Sequence, residues 1–71
     1  MSGDIAITHY PDGSMGLLPS TIRGLEWCET YATDFDKHSR IFLVPVQEKE
    51  RVVRLLGISE LVLYREVEYQ G

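Results

Sequence analysis

At 71 residues the chain is long enough for one domain and no more. A net charge of −4 and a sequence pI near 4.9 argue against a broad electrostatic grip on nucleic acid, which calls for a basic patch. The single cysteine excludes an intrachain disulfide framework and fits a reducing compartment, while 44% hydrophobic and 25% charged residues describe a globular rather than a disordered chain.

In chain order, Met1-Ser2-Gly3-Asp4 lacks the charged and apolar regions of a signal peptide. No apolar run approaches the ~20 residues that span a bilayer. A cytoplasmic protein without membrane partners is expected. Ile5 to Tyr10 reads as a strand rich in β-branched and aromatic residues. Pro11-Asp12-Gly13-Ser14 is a turn, because Pro presets φ and Gly supplies a positive φ. Met15 to Leu18 then returns as the second arm of a hairpin, with Gly16 weakening it or marking a bulge.

A helix is expected to begin near Pro19, Ser20 and Thr21, where a hydroxyl can cap free amides. Ile22, Leu25, Cys28 and Ala32 recur at intervals of three and four and form the expected core stripe, widened by Trp27 and Tyr31. Arg23, Glu26, Thr30 and Thr33 fall on the opposite side. Gly24 lies inside the helix at a cost of about 1 kcal/mol relative to Ala, which a close approach to a strand would explain. Thr33 to Arg40 reads as a polar connection.

Ile41 to Val44 is a continuous apolar run, a buried strand closed by Pro45. A second helix is expected from about Gln47 to Leu56, with Val52, Val53, Leu55 and Leu56 inward and Gly57 as a left-handed C-cap against which Ile58 folds back. A last strand runs from Leu61 to about Tyr69, with Leu61, Leu63, Val67 and Tyr69 on one face, Arg65 interrupting it, and Glu66 and Glu68 on the other.

The predicted fold is a single domain over residues 1–71, of α+β or small α/β class. It is a two-layer sandwich in the order β-β-α-β-α-β, with two helices on one face of a roughly four-stranded mixed sheet. So small a domain buries only about 60% of the surface of its unfolded chain, so association into a homodimer is expected.

Chemistry is sparse. Cys28 sits on the expected core stripe without a His or Asn motif, which reads as packing rather than a nucleophile. Asp34, Asp36 and His38 supply metal-ligand types, but the loop lacks the glycine and later Glu of a calcium loop and reads as a solvated turn. Glu26 and Glu29 are surface carboxylates without signs of desolvation. Phosphate-loop, zinc and serine-nucleophile motifs are missing from the sequence, so neither cofactor, metal nor catalytic residue is assigned and an enzyme is not expected. Arg23, Arg40, Arg51 and Arg54 would serve nucleic acid only if gathered on one face, and their acidic neighbours suggest ordinary surface pairs. Trp27 and Tyr31, four apart, are the candidate protein-interaction residues: either they complete the core or they form an aromatic margin of the kind enriched at binding hot spots.

Pro19, Thr21, Gly24 and Trp27 form a Pro-x-Thr-x-x-Gly-x-x-Trp segment, followed by the strand ending at Val44-Pro45 and the helix closing at Leu56-Gly57-Ile58. Over residues 17–58 this resembles small orphan proteins carried by proteobacterial phages, prophages and plasmids. The resemblance carries no catalytic residues. It implies a mobile-element context, in which small acidic proteins such as anti-CRISPR proteins and restriction inhibitors bind and block a host protein. The leading expectation is a non-enzymatic protein-interaction module that binds through the open face of the sheet or through the aromatic margin of the first helix. The alternatives are a nucleic-acid-associated accessory protein and a small metal-binding protein or enzyme.

Overall fold

A computed structural model describes residues 3–68, with side chains as far as Leu63. The hairpin forms as its turn chemistry dictates. Strands β1 (Ile5–His9) and β2 (Met15–Pro19) pair antiparallel with Ile7 opposite Leu17. Gly13 takes φ 93°, and the Asp12 carboxylate accepts from the Ser14 amide at 2.9 Å and hydroxyl at 2.6 Å. The β1–β2 register is unbroken at Gly16, and the one register shift lies between Ala6 and Ile7, where β1 meets the last strand.

Helix α1 (Ile22–Tyr31) starts after Thr21, whose hydroxyl accepts from the Gly24 amide at 3.1 Å. The connection that follows is not wholly a loop. Asp34–Asp36 forms a short strand, β3, antiparallel to β4 (Ile41–Val44), with Phe35 opposite Phe42. The order is therefore β-β-α-β-β-α-β, one strand more than the sequence suggested. Two charges hid this strand, although Asp-Phe-Asp alternates with the period of two that a strand requires.

Helix α2 (Val46–Ile58) begins directly after Pro45 and runs through Gly57. Gly57 is not a left-handed cap, because Gly13 is the glycine of positive φ among the described residues. Ile58 is exposed rather than folded back. The last strand, β5 (Leu63–Glu68), runs parallel to β1. Its expected alternation at Arg65, Glu66, Val67 and Glu68 concerns side chains outside the described set, and Tyr69 lies outside the described residues.

The strands make one mixed sheet in the order β3-β4-β2-β1-β5. Both helices pack on one face of it: Ile5, Ile7, Met15, Leu17, Phe42 and Val44 of the sheet share a single buried cluster with Cys28 of α1 and Val52 and Leu56 of α2. The two-layer α+β expectation holds. The helix stripes are rotated from expectation. In α1 the buried positions are Gly24 and Cys28, while Ile22 and Leu25 are exposed; in α2 Val52 and Leu56 are buried and Val53 is exposed. For α1 the cause is one close backbone contact. A Cβ on Gly24 would fall on the Asp4 carbonyl oxygen, so the glycine face is the one that can approach the chain entering β1.

Candidate functional site

An ideal helix advances about 100° per residue. In α1 that places Ile22, Leu25 and Glu29 on one flank of the buried Gly24–Cys28 stripe and Trp27 and Tyr31 on the other. Each flank carries apolar surface that the core does not use up.

On the first flank, α1 and β3 enclose an open groove of about 520 Å³, walled by Ile22 and Leu25 of α1, Leu18 of β2, and Phe35 and Phe42. Exposure is 75% at Ile22, 48% at Phe35, 39% at Leu25 and 38% at Leu18. The Phe35 and Phe42 rings meet at 4.7 Å between centroids. Ser20, Thr21 and Arg40 supply the polar rim. Arg40 has a left-handed backbone, φ 61°, fixed by the turn it closes: its N–H donates to the Asp36 carbonyl at 2.7 Å. That conformation costs an L-residue roughly 1–2 kcal/mol. This groove escaped the sequence reading because periodicity assigned Ile22 and Leu25 to the core and left Phe35 in a loop. The available signals were Gly24, which marks the closest face of the helix, and the alternation of Asp34-Phe35-Asp36.

On the second flank, Trp27 and Tyr31 stack with ring centroids 4.6 Å apart. Trp27 is half-buried and packs against the core, whereas Tyr31 is exposed. The pair thus divides the two roles considered for it: Trp27 finishes the core, and Tyr31 presents the aromatic surface.

The remaining candidates are structural. Cys28 is fully buried, and burial, with the Glu29 charge in support, pushes its thiol up to about 12. A nucleophilic thiolate needs the opposite shift. The Asp36 carboxylate accepts from the His38 amide and the Ser39 hydroxyl, both at 3.0 Å, and these bonds hold it below its ordinary value. Asp36 is therefore the organiser of a turn, and the structure places Asp34 on β3 and Asp36 at its end rather than in one ligand cluster. No group of three potential metal-binding side chains occurs among the described residues.

The arginines are dispersed. Arg23 donates to the Glu60 carbonyl at 2.9 Å and lies 3.9 Å from Asp4; Arg51 pairs with Glu48 and Arg54 with Glu50. Among the described residues that line the groove, Arg40 is the charged one. Glu26 and Glu29 are exposed on α1. Among the described residues no helix is long and apolar enough to cross a membrane.

Comparison with protein-family models, with curated proteins and with solved structures finds no match to this chain.

Proposed function

We propose that this chain is a non-enzymatic protein-interaction module that acts in the cytoplasm by binding another protein. One observation carries the reading: α1 exposes apolar side chains on both flanks of its buried stripe, Ile22 and Leu25 on one side and Tyr31 on the other. A helix that merely closes a small core is expected to be polar away from it. Contiguous exposed apolar surface on a small soluble domain marks interaction sites. The buried, un-ionised Cys28 and the dispersed arginines give no competing chemistry a focus.

The partner-facing surface is the Tyr31 flank, where an exposed phenol ring is braced by Trp27. Tyrosine in this setting offers a large contact area at low side-chain entropy cost. The proposal extends to a mobile-element protein that binds and modulates a host protein, a context that rests on the resemblance over residues 17–58.

The test is affinity capture from the native host with the wild-type chain and with Tyr31→Ala, followed by titration of the captured protein, purified, against both. Retained folding with partner affinity reduced about tenfold or more supports the site. Equal affinity of the two chains removes it.

A further inference from the structure

We propose that the groove between α1 and β3 is a self-association surface, filled by the same groove of a second copy of this chain turned through a two-fold axis.

The groove has a direction. Helix α1 begins beside Leu18 and Pro19, at the end of the sheet where Arg40 lies, and β3 runs back toward that end, from Asp34 opposite Leu43 to Asp36 opposite Ile41. Arg40 therefore marks one end of the strip. Glu29, one turn after Leu25 on the same flank, marks the other. Among the described residues the side chains of Arg40 and Glu29 make no hydrogen bond or ion pair. The α1 macrodipole points the same way, positive toward Arg40 and negative toward Glu29.

An apolar strip that is positive at one end and negative at the other is complementary to itself in antiparallel orientation. Isologous contacts require that property, since residue i meets j of the second copy and j meets i. In this arrangement Ile22 and Phe35, the projecting side chains, enter the hollow of the other copy, and each Arg40 meets Glu29 of the other. The overall charge of −4 sets two copies against each other.

Pairing β3 edge to β3 edge would instead set Asp34 against Asp36 of the second copy. Like charges directly opposite disfavour that, and acidic residues on an edge strand are a known guard against it. The contact is thus groove to groove, and it leaves the Trp27–Tyr31 flank free on both copies. It stands apart from the host-partner proposal, and either can fail alone.

The experiment is sedimentation velocity and equilibrium on the full chain across a concentration series at neutral pH and low salt. The expected species is twice the 8.1 kDa chain mass. Ile22→Asp, at a position already 75% exposed, is expected to weaken the dimer about tenfold or more, while Ile58→Asp, equally exposed at the end of α2, leaves it unchanged. Arg40→Glu is expected to weaken it, and the double variant Glu29→Arg, Arg40→Glu to restore it. A monomer at every concentration overturns the proposal, as does a dimer indifferent to Ile22→Asp. Failure of the double variant to recover association overturns the antiparallel arrangement.

Discussion

The Thr21 hydroxyl donates to the Asp4 carboxylate at 2.6 Å while accepting from the Gly24 amide at 3.1 Å. One side chain thus caps α1 and fastens it to the chain entering β1. Asp4 continues the link: its other carboxylate oxygen accepts from the Val62 amide at 2.8 Å, its N–H donates to the Val62 carbonyl at 2.6 Å, and its own carbonyl accepts from the Ser20 amide at 2.8 Å. The helix start, the central hairpin and the approach to β5 meet at this aspartate.

Thr21→Ala removes the cap and one bond to Asp4 together. Loss of the cap alone costs about 1 kcal/mol. The expected result is a lowered urea midpoint with an unchanged slope, and Thr21→Ser, which keeps the hydroxyl, is expected to recover most of the difference. Equal midpoints for wild type and Thr21→Ala would show that the hydroxyl contributes nothing measurable.

Stability is expected to fall in acid through Asp4, Asp12 and Asp36. The Thr21 hydroxyl and Val62 amide hold the Asp4 carboxyl below its ordinary 3.8; the Ser14 hydroxyl and amide do the same for Asp12, and the His38 amide and Ser39 hydroxyl for Asp36. A carboxyl whose folded value is depressed binds fewer protons folded than unfolded, so its contribution is complete above the unfolded value and is lost as pH falls through the folded one. Urea midpoints are therefore expected to hold steady down to about pH 4 and to decline below it. Asp4→Asn, compared over the same range, is expected to start lower and decline less. A parallel decline in both proteins would remove Asp4 from the explanation.

The hairpin, both helices and the buried β4 were legible because each has a strong local signal: Pro-Asp-Gly in the turn, Thr21 at a cap, and an unbroken apolar run from Ile41 to Val44. The rotation of α1 was not legible. Periodicity favours Ile22 and Leu25 as core positions, and only a contact distant in sequence, Gly24 against Asp4, turns the helix so that they face out. Strand β3 was hidden for a similar reason. Its pairing with β4 is specified by Phe35 meeting Phe42, while its local composition is that of a loop. The groove is built from these two departures, so the sequence pointed to the Trp27–Tyr31 flank and not to the Ile22–Phe35 flank.

Gly24 and Gly57 both lie within helices and should respond oppositely to alanine. Helix propensity favours Ala over Gly by about 1 kcal/mol. At Gly57 an added Cβ meets nothing within 4 Å, so Gly57→Ala is expected to stabilise by about 0.5–1 kcal/mol. At Gly24 the Cβ would strike the Asp4 backbone oxygen, which has no rotamer to move away. Overpacking of this kind costs about 1–3 kcal/mol, enough to outweigh the propensity gain. Denaturant titration of the two variants reads the sign directly, and a stabilising Gly24→Ala would overturn the close approach that orients α1.

Cys28 provides a reporter of global unfolding. Its thiol is fully buried and pushed up from 9.0 to about 12, so the native state offers a reagent neither access nor thiolate. Labelling by a thiol reagent at pH 8 is expected to follow the unfolded fraction in urea and to be negligible in native buffer. Because the folded value lies above the unfolded one, the contribution of the protonated thiol is complete below pH 9.0 and is lost as pH rises toward 12. Wild type should therefore lose stability with rising alkalinity more steeply than Cys28→Ala, which cannot ionise at this position. Rapid labelling of the native protein at the rate of a free thiol would mean that α1 lifts from the sheet without global unfolding, and the tie between Thr21, Asp4 and Gly24 would then be too weak to hold the helix in place.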